Sequence, residues 1–316
     1  MTKSYMKIKI LSHIVGVVAL LSLGSCFTGV ENTPKITDKD VSRTISELER
    51  RQPSMSLTAR PDSLLAWKQG KKFFVTDNQA RLIFATSSSY DIDSINLTGK
   101  QLSYTGYEQS LGLDNRQVVT INFTDGTNVY SYRTGKTIDE FTSSFSIPLL
   151  VDMDMVNDVA SSLEGKEVYI KTSIWYNLEK EHMFKGRQFI KVRITKVAPG
   201  NKILPLKVVF RPVDDNQEAF VWMSIGKSTI SNRDYDSMFS SRDIHLNYPD
   251  ITDEHWALIV NGDVTIDMTK EECRLAKGAP KTINRMPNQS DIREYWYYDG
   301  GSYLQFVDGL LKAYRK

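Results

Sequence analysis

The chain has 316 residues, with 40 lysines and arginines against 38 aspartates and glutamates, and only two cysteines. Charge so evenly balanced offers no basic face to displace the counterions of a nucleic acid, which argues against that class of partner. Two cysteines make no disulfide framework, and a chain of this length buries enough surface to fold without one, as about two domains or three small ones.

At the amino terminus Lys3, Lys7 and Lys9 precede a short apolar run, Leu11 to Leu23, interrupted by Ser12, His13, Gly16 and Ser22. Charge, apolar core and small residues in that order read as a secretory signal. The run falls short of the ~20 apolar residues that a bilayer span requires. Leu23-Gly24-Ser25-Cys26 resembles the bacterial lipobox. That resemblance implies a signal peptide over residues 1–25, cleavage before Cys26 and a diacylglycerol on the Cys26 thiol. Each buried methylene of such an anchor adds ~0.8 kcal/mol of membrane affinity. Loss of the leader removes three lysines and no acids, so 37 basic residues face 38 acidic ones in the body, and Cys273 has no intramolecular partner.

Residues 26–61 read as the lipidated cysteine and a polar tether containing Pro34, Pro53 and Pro61. Val41, Ile45 and Leu48 fall at helical spacing within it, after a helix start at Thr37, Asp38 and Asp40. Glu31 is the one acid between Phe27 and Asn32. Surface-exported lipoproteins of the Bacteroidetes carry an acidic signal at that place. Its lack implies an outer-membrane lipoprotein whose body faces the periplasm.

Beyond the tether the chain reads as mostly β. Phe73 to Thr76, Arg81 to Ala85, Val118 to Phe123 and Val129 to Tyr132 have strand composition. Ile190, Val192 and Ile194 alternate with polar residues, the period of a half-buried strand. An internal repeat of about 90 to 95 residues runs through this region. Gly70-Lys71-Lys72-Phe73 recurs as Gly165-Lys166-Glu167-Val168, and Gly99-Lys100-Gln101-Leu102 as Gly186-Arg187-Gln188-Phe189. The stretch from Val129 to Lys136 recurs from Phe220 to Lys227, and Phe141 to Ser144 matches Met238 to Ser241 more loosely. The expectation is two related small β-barrel or sandwich modules, at 62–158 and 159–255, since a lone meander cannot hide both faces and its edges.

The last module, 256–316, is the most legible. Thr269-Lys270-Glu271-Glu272 is a capping box, with Met268 and Cys273 placed as a hydrophobic staple. The helix stops at Gly278, with Pro280 beyond it. Three strands are expected: Arg293 to Tyr298, Ser302 to Val307 and Leu310 to Arg315, turned at Asp299-Gly300-Gly301 and Asp308-Gly309. Met268 to Glu272, Gly278-Ala279-Pro280, Tyr295 to Tyr298 and Tyr303 to Leu310 together resemble the SmpA/OmlA (BamE-like) module. That family consists of small outer-membrane lipoproteins that assist β-barrel assembly and envelope integrity, and the module also serves elsewhere as a protein-binding domain. Asp267 and Lys277 depart from its pattern, and one helix is legible where the family has two. The arrangement of tether and modules is similar in style to multi-module lipoproteins of the Bacteroidetes.

Residues that could carry chemistry give no constellation. His182, His245 and His255 lack metal-ligand spacing and read as surface or satisfied core histidines. Gly135-Lys136-Thr137 lacks the leading glycine of a phosphate loop and reads as a turn. Cys273 reads as a buried thiol. The pairs Asp91/Asp93 and Asp152/Asp154 read as solvent faces of strands. By period two, Trp296 and Tyr298 share one face of the terminal meander and Tyr295 and Tyr297 the other. Trp296 is assigned to the helix side. Tyr295, Tyr297 and Tyr303 are the candidate contact surface. The sequence therefore implies a non-enzymatic binding or scaffold lipoprotein, with no metal and no cofactor, whose partners are the membrane and an envelope protein. Glycan binding by the β modules is the alternative, and a hydrolase comes after it.

Overall fold

The computed structural model describes residues 57, 62–85, 94–112, 115–143, 145–226, 231–287 and 292–316. Leu23, Gly24, Ser25, Cys26, the amphipathic stretch of the tether and the Asp91/Asp93 pair lie outside the described residues. No helix among the described residues is long and apolar enough to cross a membrane.

Three antiparallel sheets make up the fold. The first uses β1 (Lys72–Val75), β2 (Phe84–Ala85), β3 (Gln101–Leu111), β4 (Gln117–Thr124), β5 (Val129–Arg133) and β6 (Leu150–Asp152), in the order β2-β5-β4-β3-β1-β6. Helix α1 (Met153–Leu163) then leads to β7 (Glu167–Ile170), β8 (Ile174–Tyr176), β9 (Met183–Lys185), β10 (Ile190–Pro199), β11 (Leu206–Pro212), β12 (Ala219–Met223), a one-turn helix α2 (Tyr235–Met238) and β13 (Phe239–Ser240). Their order in the second sheet is β13-β7-β10-β11-β12-β8-β9. Among the described residues neither sheet closes, so of the expected barrel or sandwich the barrel is not formed.

Alternation builds the first core. Phe73, Leu102, Tyr104, Phe123 and Tyr130 point to one face and are covered by Leu64, Trp67 and Phe141. Met155, Val156, Val159 and Leu163 of α1 cover the second core, on the inner face of β7, β10, β11 and β12. Phe74 and Val151 point away from the first core and pack into the second, so the β1–β6 edge serves both.

The two sheets carry the same hydrogen-bond pattern. The Gly70 N–H donates to Tyr104 O at 2.8 Å, and the Gly165 N–H to Ile194 O at 2.8 Å. Tyr104 N–H returns to Lys71 O, and Ile194 N–H to Lys166 O. Both ladders shift register at the next residue, Thr105 and Thr195, a bulge that bends the long strand at the same place. Thr76 N–H donates to Leu149 O where Lys171 N–H donates to Met238 O. The correspondence corrects the alignment read from sequence: Leu149 and not Phe141 matches Met238, Tyr130 matches Ala219 and not Val221, and Gly99 does not match Gly186. The Gly99 N–H donates to Val75 O and the Phe189 N–H to Ile170 O, so Gly99 matches Phe189, three residues beyond Gly186. Both have positive φ, +79° and +58°, so the turn is shared although only one copy has glycine.

Local signals overrule two expectations. Arg81–Ile83 is not strand but the end of a 3-10 helix, Asn78–Ile83, because the Asp77 carboxylate takes the Gln79 N–H at 2.8 Å and starts a turn. Asp152 and Asp154 are not the solvent face of one strand: Asp152 is buried at the end of β6, and Asp154, which is exposed, lies in the first turn of α1. Asp152 caps α1, and both carboxylates hold the buried Lys71 ammonium, at 2.9 and 2.6 Å.

The third sheet follows α3 (Asp253–Val260) and α4 (Lys270–Lys277). It is a four-strand meander of β14 (Thr282–Pro287), β15 (Ile292–Tyr297), β16 (Tyr303–Val307) and β17 (Leu310–Arg315), in chain order. Two helices and four strands replace the expected one and three. Strand β14 has no apolar period, with only Ile283 half-buried among exposed neighbours. Helix α3 places only Ile259 fully inside, so neither element has the repeat that would reveal it.

Candidate functional site

The terminal module is built on its capping box. Thr269 Oγ1 accepts from the Glu272 N–H at 3.2 Å, and Glu272 Oε2 accepts from the Thr269 N–H at 2.6 Å. The other Glu272 oxygen lies 2.6 Å from His255 Nδ1 of α3, so the cap also ties the two helices. Burial alone would raise the Glu272 carboxyl. The Thr269 N–H and His255 outweigh it and hold the group below its ordinary value. Glu294 of β15 is more enclosed, 1% exposed, and accepts from Lys270 at 2.9 Å, from Arg285 at 2.8 Å and from the Trp296 indole N–H. Its burial penalty is likewise exceeded by these donors, so its carboxyl also sits below its ordinary value.

The two faces of the meander are chemically distinct. Trp296 is 0% exposed and lies among Ile259, Met268, Cys273 and Phe306, with the Arg274 guanidinium 5.1 Å above its ring. Tyr298, on the same side, donates to Gly278 O. On the opposite face Tyr297 is 39% exposed and pairs across strands with Tyr303, ring centroids 6.5 Å apart. Tyr295 stands two residues along, opposite Gln305 and Asn284. Tyr295, Tyr297 and Tyr303 therefore share one patch.

Sequence reasoning missed Gln188, which joins the terminal module to the second sheet. Its buried amide Nε2 donates to Leu275 O at 2.7 Å, Ile259 O at 3.0 Å and Ala276 O at 3.3 Å, and its backbone N–H donates to Val260 O. These are carbonyls at the C-terminal ends of α3 and α4; Ile259 O also accepts from the Gly262 N–H at 2.9 Å, whereas Leu275 O and Ala276 O lie in the last turn of α4, beyond the reach of its own N–H groups. Beside it Phe189 stacks on Trp256 at 5.7 Å, and Trp256 on His245 at 4.3 Å. A lone buried glutamine between strands leaves no periodic trace in a sequence.

Two concavities lie among the described residues of the sheets. One, of about 370 Å³, lies between the segment 145–150 and the turn before β11, and is mostly apolar, with Ile147, Leu149, Met155 and Ile203 in its walls. The other, of about 220 Å³, opens at the β9 edge between the β8–β9 hairpin, the β11–β12 connection and Asn261. Its walls mix Trp175 and Phe184 with Asp215, Gln217 and Glu218.

Reactive groups are engaged elsewhere. His255 is paired with Glu272, and His245 is stacked on Trp256. Burial pushes the Cys273 thiol up to about 12, which leaves it protonated and unreactive at neutral pH. Gly135, at φ +69°, makes a turn and Thr137 caps the short helix after it, so no phosphate cradle forms there. Among the described residues no group of three or more His, Cys, Asp or Glu is arranged to hold a metal ion. Comparison with known proteins finds no family model, no curated protein and no solved structure that matches the chain.

Proposed function

We propose that the chain is a bacterial lipoprotein, anchored to the outer membrane through Cys26 and facing the periplasm. It works without catalysis, by binding an envelope protein through the outer face of its terminal meander. The observation that carries this reading is the exposed Tyr297, paired across strands with the half-buried Tyr303 and with the half-buried Tyr295 beside it, on the sheet face turned away from the helices. Exposed tyrosines on a rigid sheet offer large contact area at small entropic cost, which is why aromatic residues are enriched at contact surfaces. Two capped helices over an antiparallel meander support the likeness to the SmpA/OmlA module and its protein-binding role.

In this reading the body has three modules, over 62–158, 159–255 and 256–316, and the first two are copies of one unit. The shared strand order, the shared bulge and the matched hydrogen bonds support duplication.

The test is a photo-crosslinking residue at position 297 in the full chain, expressed in its native membrane, with position 254 on α3 as comparison. A discrete adduct from 297 and not from 254 is expected. It should disappear in Cys26→Ser, which also loses metabolic palmitate label. No adduct, or the same adduct from both positions, overturns the contact surface. Label persisting on Cys26→Ser overturns the anchor.

A further inference from the structure

One of the differences between the two matched sheets leaves a hole. In the first sheet Tyr104 pairs with Phe123 and Phe123 with Tyr130; in the second Ile194 pairs with Phe210 and Phe210 with Ala219. Ala219 therefore stands where the first sheet has Tyr130. One strand further out, Phe84 pairs with Tyr132 and the same register places Trp175 opposite Val221. Phe84 and Phe123 meet edge-on at 6.2 Å, as Trp175 and Phe210 do at 5.0 Å. Tyr130 closes this cluster in the first sheet, packing on Phe84 at 5.4 Å and 0% exposed. Alanine does not, and the 220 Å³ cleft opens over it. The second sheet also adds β9, which has no counterpart in the first, and β9 brings Phe184 to the mouth of the cleft.

We propose that this cleft binds one uncharged pyranose ring of a polysaccharide. Its volume lies below the range of about 300 to 1,000 Å³ that encloses a drug-sized ligand, so it takes a single ring and leaves the rest of a chain in solvent. Phe184 is 42% exposed and held edge-on against Trp175 at 6.0 Å, a fixed aromatic surface for the C–H face of a sugar. The floor is kept bare at Gly186, where a Cβ would come within 2.1 Å of the Trp175 ring. Gln217 and Glu218 line the opposite wall with no side-chain partner among the described residues. Asn261 spends its amide N–H on Ala257 O and keeps its carbonyl oxygen as an acceptor. These are hydroxyl-binding groups.

Charge narrows the ligand. Arg187 is clamped by both oxygens of Asp214 at 2.7 Å, and Lys185, which gives one N–H to Gly262 O at 3.3 Å and keeps its charge, faces the acids Asp215 and Glu218, so the cleft has no net positive charge to favour a phosphate or a uronate. A quaternary ammonium held by cation–π contacts would need several open ring faces, and Trp175 is only 6% exposed. The inference is independent of the tyrosine patch on the meander.

The test is titration of the full chain in detergent with maltotriose, cellotriose, xylotriose, mannotriose and N-acetylchitotriose, with trigalacturonate and choline as charged probes, followed by calorimetry and tryptophan fluorescence. At least one neutral trisaccharide should bind, and Phe184→Ala and Glu218→Gln should each weaken it about tenfold or more. Tyr297→Ala should leave it unchanged. Both cleft residues are exposed, so melting curves should match the parent. Ala219→Tyr, which restores the residue of the first sheet, should abolish binding. Failure of all five neutral probes, tighter binding of trigalacturonate or choline, or full affinity in Phe184→Ala overturns the proposal.

Discussion

Trp296 and Tyr297 are neighbours in sequence and opposites in energetics. The indole is enclosed on all sides, so Trp296→Ala leaves a large cavity and should cost about 3 to 5 kcal/mol. Tyr297→Ala removes a ring that already faces water and should stay within about 0.5 kcal/mol. Urea denaturation of the full chain carrying each substitution is the measurement, and a severe Tyr297→Ala with a neutral Trp296→Ala would invert the facing. Glu294 and Glu272 give the module a pH signature. Each carboxyl titrates lower in the folded chain than in the unfolded one, where the value is about 4.3. The stabilisation is therefore complete above about pH 5 and is lost as pH falls through the folded values. In Glu294→Gln the Lys270 and Arg285 charges, both partly exposed, remain solvated, so the chain should fold while the acid limb of its stability curve becomes shallower.

At the level of elements, turns do the specifying. Gly70 has φ +86° and Gly165 φ +79°, and both donate into the long strand of their own sheet. A Cβ at either would meet open space, so the cost of alanine is conformational alone, about 1 to 2 kcal/mol. Gly70→Ala and Gly165→Ala should therefore lower stability by similar amounts in thermal melts, as two instances of one turn. Unequal losses of several kcal/mol would mean that the two turns are not equivalent. Much of this level was legible. The Gly-Lys pairs marked the start of each sheet, the capping box marked α4, and Asp308-Gly309, with φ +50° and +88°, marked the last hairpin. Strand β14 and helix α3 were not, because an exposed edge strand and a helix with one buried residue lack the apolar period on which such reading depends.

Across the whole molecule the decisive residue is Gln188. It fixes the terminal module against the second sheet by satisfying carbonyls from both helices. Gln188→Ala takes the amide donor from Leu275 O and Ala276 O and should cost about 1 to 3 kcal/mol. Hydrogen exchange at the C-terminal ends of α3 and α4 should speed up, while the cores of the first two sheets keep their protection. Unchanged exchange there would mean that Phe189, Trp256 and His245 hold the junction unaided. The same junction supplies Asn261 to the cleft, so docking of the module and completion of that site are one event.

The sequence by itself determined the features that rest on near neighbours in the chain. Alternation made the body mostly β, and the period of two put Trp296 and Tyr297 on opposite faces. Four consecutive residues made the α4 cap. Each is a contact between residues a few positions apart, and its signal survives in one dimension. Only the tertiary structure decided the open sheets in place of barrels, the capture of Lys71 by Asp152 and Asp154, and the role of Gln188. It also decided the exchange of Tyr130 for Ala219 that opens the cleft. Those contacts join residues about 70 to 90 positions apart or depend on equivalent places in two sheets. Nothing local distinguishes a glutamine that will be buried from one that will not until the chain has brought the helix ends to it.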